Sequence, residues 1–415
     1  MASPSPEEES PDSTGALSAV LQLGPDDPLI HARATASEQT TAVYKLVLTG
    51  GPCAGKTTAL KRMGDFFRAK GFRVYTVPEA ATCMYTNGIR FEDGRTPANR
   101  FAFQWGLLDL QITQEDGFER FAYVNGQPSI MLCDRGLMDG SVYMQPEEWA
   151  CLVKAKGMDE ASLRDGRYDG ILHLVTAADG AEEHYSLDNN EARSESVEMA
   201  TNVDARAEAA WLGHPRQMLF DNSTDFEAKM DRVTSAASRL VGLPCRPRKL
   251  CKFLLTKPPP PLEKFPVPTE EFQAEKIFLL RRDAATGGNG LLIGSTSVES
   301  DGPAACVSSE SFLEKRGRNG ELRLFVYCIA TFSSYDDGAV TEDTRRLSAE
   351  EFNNIEQERV DPARPKVLQR RVAFLWERQA FELQTDLKPA YGISVLHRHS
   401  EGGELSLPTF LSVDE

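Results

Sequence analysis

The chain has 415 residues, of which 41% are apolar and 26% charged, a balance that fits two or three globular domains and excludes a fibrous or wholly unfolded polypeptide. The formal net charge of −16 argues against general nucleic-acid binding, while leaving room for a local basic patch. No apolar run reaches the roughly 18 residues that a membrane-spanning helix needs, so no transmembrane segment is expected. The cysteines and histidines are scattered without a C-x-x-C pair, the pattern of free thiols in a reducing compartment rather than of disulfides or structural zinc.

Residues 1–42 are rich in Ser, Pro, Glu and Thr and poor in large apolar groups, so they bury too little surface to offset the entropy of ordering. The stretch "PEEESPD" places acids where a secretory or organelle leader needs bases. A disordered acidic tail on a cytoplasmic protein is the expectation. From Val43 to Leu243, short runs that are apolar on both faces alternate with helix-length segments. The runs are "YKLVLT", "FRVYTV", "SIMLCD", "GILHLV" and "RQMLFD", which predict a parallel sheet buried between helices.

A first helix is expected from Lys56 to Lys70, with Leu60, Met63 and Phe67 facing the core and Gly71 as its stop. A long helix follows over 101–122, then a charged helical pair over 189–215. A last helix over 223–242 takes Ser223 or Thr224 as its cap. Residues 244–268, including "KPPPPLEKFPVP", read as a stiff linker, because proline fits neither a helix interior nor a central strand. Residues 269–415 read as a β-rich domain with one helix. The signals are a hairpin at Asn319-Gly320, a second hairpin turning at Glu377-Arg378, and a Ser348–Glu351 capping box.

Residues Gly50, Gly51, Pro52, Cys53, Ala54, Gly55, Lys56 and Thr57 satisfy G-x-x-x-x-G-K-[ST] between a strand and a helix, the phosphate-loop pattern. Backbone N–H groups of such a loop converge on one point, and the helix N-terminus adds partial positive charge. The nucleotide is expected on Gly50 to Thr58. Lys56 would place a cation between the terminal phosphates, and Thr57 would offer its hydroxyl to Mg²⁺. Asp134 closes the third strand in "LCDRG", the position of a metal-side acid. Glu79 follows the second strand and has three readings: a base, an acceptor-binding group, or the start of the next helix. Arg193, with Arg206 as a weaker candidate, lies in the charged helical pair, where an arginine can close over phosphates; both are equally readable as solvated charges. Cys53 is a small filler or a reactive thiol.

Period-2 arithmetic gives each strand of the second domain one polar side. Gln369 and Arg371 fall opposite Val372, Phe374 and Trp376, and Glu382, Gln384 and Asp386 fall opposite Phe381 and Leu383. Gln273 and Glu275 share a face, with Lys276 on the other. Either the sheet has one wet face, or it closes into a barrel whose polar lumen accepts a charged ligand. Lys315, Arg316, Arg318, Arg323 and Arg371 are the candidate anion contacts.

Together, "YKLVLTGGPCAGKTT", "VPEAAT", "CDRGLMDG", "GHPRQMLFDNSTDFEAKM" and "EKRGRNGEL" resemble the TRPL translocation defect family. The resemblance implies a nicotinamide-riboside-kinase-like AAA domain followed by a CYTH-like, or triphosphate-tunnel, barrel. It further implies GTP binding, phosphoinositide binding with phosphatidylinositol 3-phosphate foremost, and a role in membrane-protein trafficking, peripheral on endosomal membranes. CYTH phosphohydrolases carry E-x-E-x-K on one strand face. Here the stretch reads Gln273-Ala274-Glu275-Lys276-Ile277, which keeps only Glu275. A late carboxylate position reads His397, and the expected Lys-x-Arg reads Gln369-Arg370-Arg371. Too few acids remain for two hard cations, which disfavours hydrolysis in the tunnel.

The leading expectation is a P-loop GTP- or ATP-binding regulatory protein, using Mg²⁺, whose degenerate barrel binds an anionic lipid headgroup and which has a membrane-protein cargo. The alternative is a small-molecule kinase that phosphorylates a nucleoside or nicotinamide riboside. A third reading is a scaffold in which nucleotide only stabilises the fold. There is no N-K-x-D guanine signature, and "FDNSTD" names no base.

Overall fold

Five parallel strands order as β2-β3-β1-β4-β5, with β1 (Val43–Thr49) at the centre, β2 (Arg73–Val77), β3 (Ser129–Asp134), β4 (Gly170–Leu174) and β5 (Gln217–Phe220). The computed structural model describes residues 42–90, 96–185, 196–243, 249–280, 308–318, 321–332, 340–347, 349–389, 392–400 and 405–413. The expected tail, Arg193, Ser348 and the Asn319-Gly320 turn lie outside the described residues, as does the side chain of Arg323.

The five expected strands all form; β1, β3 and β4 are buried between helices on both faces, and β2 is a half-exposed edge strand. Leu46 and Leu48 pack with Met63 and Phe67 of α1 (Lys56–Ala69) and with Val233 of α7 (Phe226–Leu240). Val43 and Val47 face the opposite layer, with Leu108 of α3 (Pro97–Val124), Trp149 of α4 (Pro146–Ala155) and Trp211. The remaining helices of this half are α2 (Ala80–Thr86), α5 (Glu160–Arg164) and α6 (Val197–Ala210). A 3₁₀ segment, Leu137–Tyr143, follows β3. Neither Ser223 nor Thr224 caps α7: Asp225 does, accepting from the Ala228 amide, one residue further on, where its carboxylate reaches the first free N–H groups.

The second half is an eight-stranded antiparallel barrel in the order β10-β6-β13-β12-β11-β7-β8-β9. Its strands are β6 (Lys249–Leu254), β7 (Thr269–Phe278), β8 (Ser308–Arg318), β9 (Glu321–Phe332), β10 (Val340–Leu347), β11 (Val367–Trp376), β12 (Gln379–Lys388) and β13 (Ser394–Ser400). Helix α8 (Ala349–Arg359) lies between β10 and β11. The expected linker is therefore revised. Residues 249–254 are a strand of the barrel. Leu262, Phe265 and Val267 pack with Phe410 over the outer face formed by Val372, Phe374, Phe381, Leu383 and Leu396. Proline keeps this segment out of the ladder without keeping its aromatic and aliphatic neighbours off the barrel wall.

Strand register decides which residues see the lumen. Arg371 pairs with Phe272 on one side and Gln384 on the other; Gln369 pairs with Ala274 and Asp386. The lumen face of β7 thus carries Phe272, Ala274 and Lys276, while Glu275 points outward and pairs with Lys315. Glu275, the one residue that the acid motif keeps, therefore lies outside the lumen, because successive residues of a strand point to opposite faces.

Inside, Glu314 is buried and accepts from Arg371 at 2.5 and 3.1 Å; Arg371 also donates to Glu382 at 3.1 Å and to Gln369 at 2.8 Å. Arg316 pairs with Glu314 as well. Burial pushes the Glu314 carboxyl up, but Arg316 and Arg371 outweigh it and hold it at about 2. The ordinary glutamate value is about 4.3, so the ionised form contributes stability above that pH, and the contribution is lost as pH falls toward 2. The melting temperature should therefore drop between pH 5 and 2. The Glu314→Gln variant should lose that part of the slope and be destabilised at pH 7 by about 3–5 kcal/mol, the cost of leaving a buried partner uncompensated. Thermal melts across this range check both expectations.

Candidate phosphate-binding site

The bend after β1 is built from backbone conformations that L side chains rarely adopt. Gly50 has φ +127°, and a Cβ added there would lie 1.9 Å from the Leu174 carbonyl oxygen at the end of β4. Gly55 has φ +90° and rests against the Phe226 ring. Between them Cys53 is itself left-handed, at φ +55°, which costs roughly 1 kcal/mol for a residue with a Cβ. Alternation of this kind turns successive amides toward one centre and makes an anion nest. Helix α1 starts immediately, capped by Gly55 with no side-chain acceptor and no acid in its first turn. Its leading N–H groups are left to solvent or to a bound anion.

The rest of the fold clamps this loop. The Thr176 hydroxyl donates to the Pro52 carbonyl, and the Gly51 amide donates to Asp204 Oδ1 at 2.6 Å. Lys56 Nζ folds back onto the carbonyls of Gly50 and Gly51 at 3.0 and 2.8 Å. Burial lowers its pKa to about 7, with repulsion from Arg135 adding to the shift and Asp134, Glu79 and Asp139 opposing it.

Asp134 ends β3 directly beside Leu48 of β1. Burial raises its pKa, with Lys56 pulling the other way. Thr57 and Asp134 share a cleft of about 680 Å³ with Glu79, Thr82, Cys83 and Asn87. A hydroxyl and a carboxylate are the hard oxygen donors that Mg²⁺ takes, completed by water and substrate phosphates, so these two residues fit the metal that a nucleotide would bring.

Glu79 precedes α2 and accepts from the Thr82 hydroxyl at 2.7 Å and from Arg135 at 3.3 Å. Burial pushes it up, but Arg135, Thr82 and Lys56 hold it below the ordinary glutamate value. Glu79 is thus a carboxylate at the mouth of the loop, fixed between Arg135 and Thr82. Arg135 has φ +75° and donates to the Gly50 carbonyl at 2.8 Å. Asp139 is structural: it is buried and accepts from Thr49, Trp211 and the Gly136 amide.

Other expectations are redistributed. Arg206 donates to the Met144 carbonyl at 2.8 Å and is not poised over the loop. Asn222, within "FDNSTD", donates to the carbonyls of Thr176 and Asp179, shaping that turn. Of the five basic candidates in the barrel, Arg316 and Arg371 share the lumen face and are already paired with Glu314 and Glu382. Lys315 is outside, beneath α8, 3.3 Å from Glu356, and Arg318 pairs with Glu270. Of these candidates, the two on the lumen face are thus held in paired charges. His397 does face the lumen, opposite Glu382. Burial, with Lys252, Arg371 and Lys276 adding to it, keeps its pKa well below the usual value. Asp204 was missed as a loop-holding residue. Its only sequence signal is the spacing of Asp204 and Glu208, four apart on the same side of α6 as buried Ala200 and Ala207.

Residues 45–229 match the AAA domain family; among curated proteins none matches the chain. The match and the loop geometry together define an AAA-type P-loop nucleotide-binding domain. No helix among the described residues is long and apolar enough to cross a membrane.

Two outcomes follow from the loop. Gly50→Ala places a methyl group into the Leu174 carbonyl and should reduce nucleotide affinity more than 100-fold, about 3 kcal/mol, as read by titration with a fluorescent triphosphate. A bound phosphate restores the proton of Lys56, so binding should take up a proton above pH 7 and weaken by up to about tenfold per pH unit. Calorimetry in buffers of different ionisation enthalpy would expose that proton, and Lys56→Ala should abolish it.

Proposed function

We propose that this chain is a P-loop nucleotide-binding regulatory protein that takes GTP or ATP with Mg²⁺, and that its barrel reads an anionic ligand, a phosphoinositide headgroup being the class favoured by the resemblance to the TRPL translocation defect family. The observation that carries the first half is the loop itself: Gly50, Cys53 and Gly55 in left-handed conformations, with Lys56 lying across the loop carbonyls. In the barrel, the lumen face of β7 carries Phe272, Ala274 and Lys276 and none of the metal-binding acids that the E-x-E-x-K motif of CYTH phosphohydrolases supplies. A lumen that lacks those acids and retains Lys276, with Lys252 opposite His397, suits holding an anion better than hydrolysing one. In this reading the barrel is CYTH-like, and headgroup binding would bring the protein to an endosomal membrane in the trafficking of a membrane-protein cargo.

The kinase alternative rests on the cleft between Thr57, Asp134 and α2, which lies beside the loop where a phosphoryl acceptor would stand. Calorimetry with GTP, ATP and their non-hydrolysable analogues, with and without Mg²⁺, tests the shared claim. Micromolar or tighter binding that disappears in Lys56→Ala is expected, and no binding to any triphosphate would end both readings. Phosphate transfer to a panel of nucleosides and nicotinamide riboside would favour the kinase. Co-flotation with vesicles containing phosphatidylinositol 3-phosphate, and not with neutral vesicles, would favour the lipid-reading barrel; equal partitioning would remove it.

A further inference from the structure

The β11–β12 hairpin turns at Glu377 and Arg378, with φ of +46° and +61°, the mirror-image two-residue turn that suits the twist of paired strands. The turn carries Arg378 from the barrel into the nucleotide-binding half. There its guanidinium donates to Glu208 at 2.7 Å, to Asp204 Oδ2 at 3.3 Å, and to Asp179. Asp204 is fully buried. Its other oxygen, Oδ1, accepts the Gly51 amide of the phosphate loop and lies 3.2 Å from His173 Nε2. One carboxylate therefore holds the barrel with one oxygen and the phosphate loop with the other.

His173, Asp204 and Glu208 bring ligand atoms within 4.8 Å of one another, a spacing that would also suit a metal ion. Asp204 and Glu208 are two carboxylates buried close together, and Arg378 reaches both from the other half of the chain. The loop backbone lies tight against Asp204, since a Cβ on Gly51 would meet the Asp204 Cβ at 2.9 Å. The strands leading to this turn also carry Arg371 and Glu382 into the lumen, so one paired ribbon joins the lumen network to the loop.

We propose that Arg378 is a positioning residue for the phosphate loop: it holds Asp204 turned toward Gly51, so nucleotide affinity is set in part by the barrel. Arg378 itself touches no phosphate. Thermodynamic reciprocity then makes nucleotide binding tighten the seating of the hairpin, and makes any ligand that shifts the hairpin alter nucleotide affinity. The inference rests on reading the loop as a nucleotide site.

The test uses the full chain with Arg378→Ala, Arg378→Lys and, as a control on the same turn, the exposed Glu377→Ala. Titration with fluorescent GTP and ATP analogues and Mg²⁺ should show affinity about tenfold or more weaker in Arg378→Ala, within the usual range of coupling between sites. Arg378→Lys should recover part of the loss and Glu377→Ala should match the parent. Amide hydrogen exchange should accelerate at Gly51 and at Cys53 to Gly55 in Arg378→Ala, with β3 unchanged. Parent-like exchange in the loop overturns the proposal, and so does acceleration spread evenly over β1 and β3, which marks a merely structural role. Parent-like affinity in Arg378→Ala, where the parent binds, also overturns it. If the parent binds no nucleotide, the nucleotide reading fails by itself and the exchange pattern still decides this one. If Arg378→Ala does not fold, Arg378→Lys, which keeps the charge but loses the fork, is read by the same exchange criterion.

Discussion

The Leu174 carbonyl leaves no room for a side chain at Gly50, and the site is organised by that contact. The turn after β1 has to pass against the end of β4, so the loop is pressed into the sheet edge rather than arched above it. From there Thr176 can hold Pro52 and Asp204 can hold Gly51. A loop pinned in this way presents its amides with little reorganisation when an anion arrives, which is the physical basis of preorganised phosphate binding.

Around the loop, charge is crowded but compensated. Lys56 and Arg135 stand against Asp134, Glu79 and Asp139, and the cations rest on backbone carbonyls or carboxylates. An arriving phosphate would change this balance in one direction, giving Lys56 a stronger partner than a carbonyl. The left-handed Arg135 belongs to the same economy of space, since it turns the chain sharply so that its guanidinium reaches back across the mouth to Gly50 and Glu79.

The barrel follows a different rule, set by parity. Alternate residues of β7, β8, β11 and β12 line a lumen in which arginine and glutamate neutralise one another, while the intervening residues meet apolar cover from the proline-rich segment, the C-terminal residues and α8. A buried arginine that forks onto two carboxylates and an amide is held as rigidly as any core residue. At one end, Phe272 and Ala373 pack against Leu212, and Arg164 donates to Glu270. The two halves therefore meet through an apolar contact as well as through Arg378, within one compact unit spanning Thr41–Glu415.

Local signals were enough for the five strands of the first half, the phosphate loop and its helix, and the turn at Glu377-Arg378. Each depends on periodicity or on backbone conformations tied to residue type, both of which are properties of short stretches. The side of the sheet that Glu275 occupies could not be read, because alternation defines two faces without saying which is inside. The extent of the linker was misjudged, since proline density reports lost hydrogen bonds and not what neighbouring Phe265 will cover. Asp204 and Arg378 were not legible as a pair. They lie far apart in the chain and meet only when a barrel hairpin docks on a helix of the nucleotide-binding half. Local pattern was enough for the first-half strands and the phosphate-binding bend; which charges became neighbours depended on the folded chain, because Coulombic and hydrogen-bonding partners are chosen by distance in space, which no local pattern encodes.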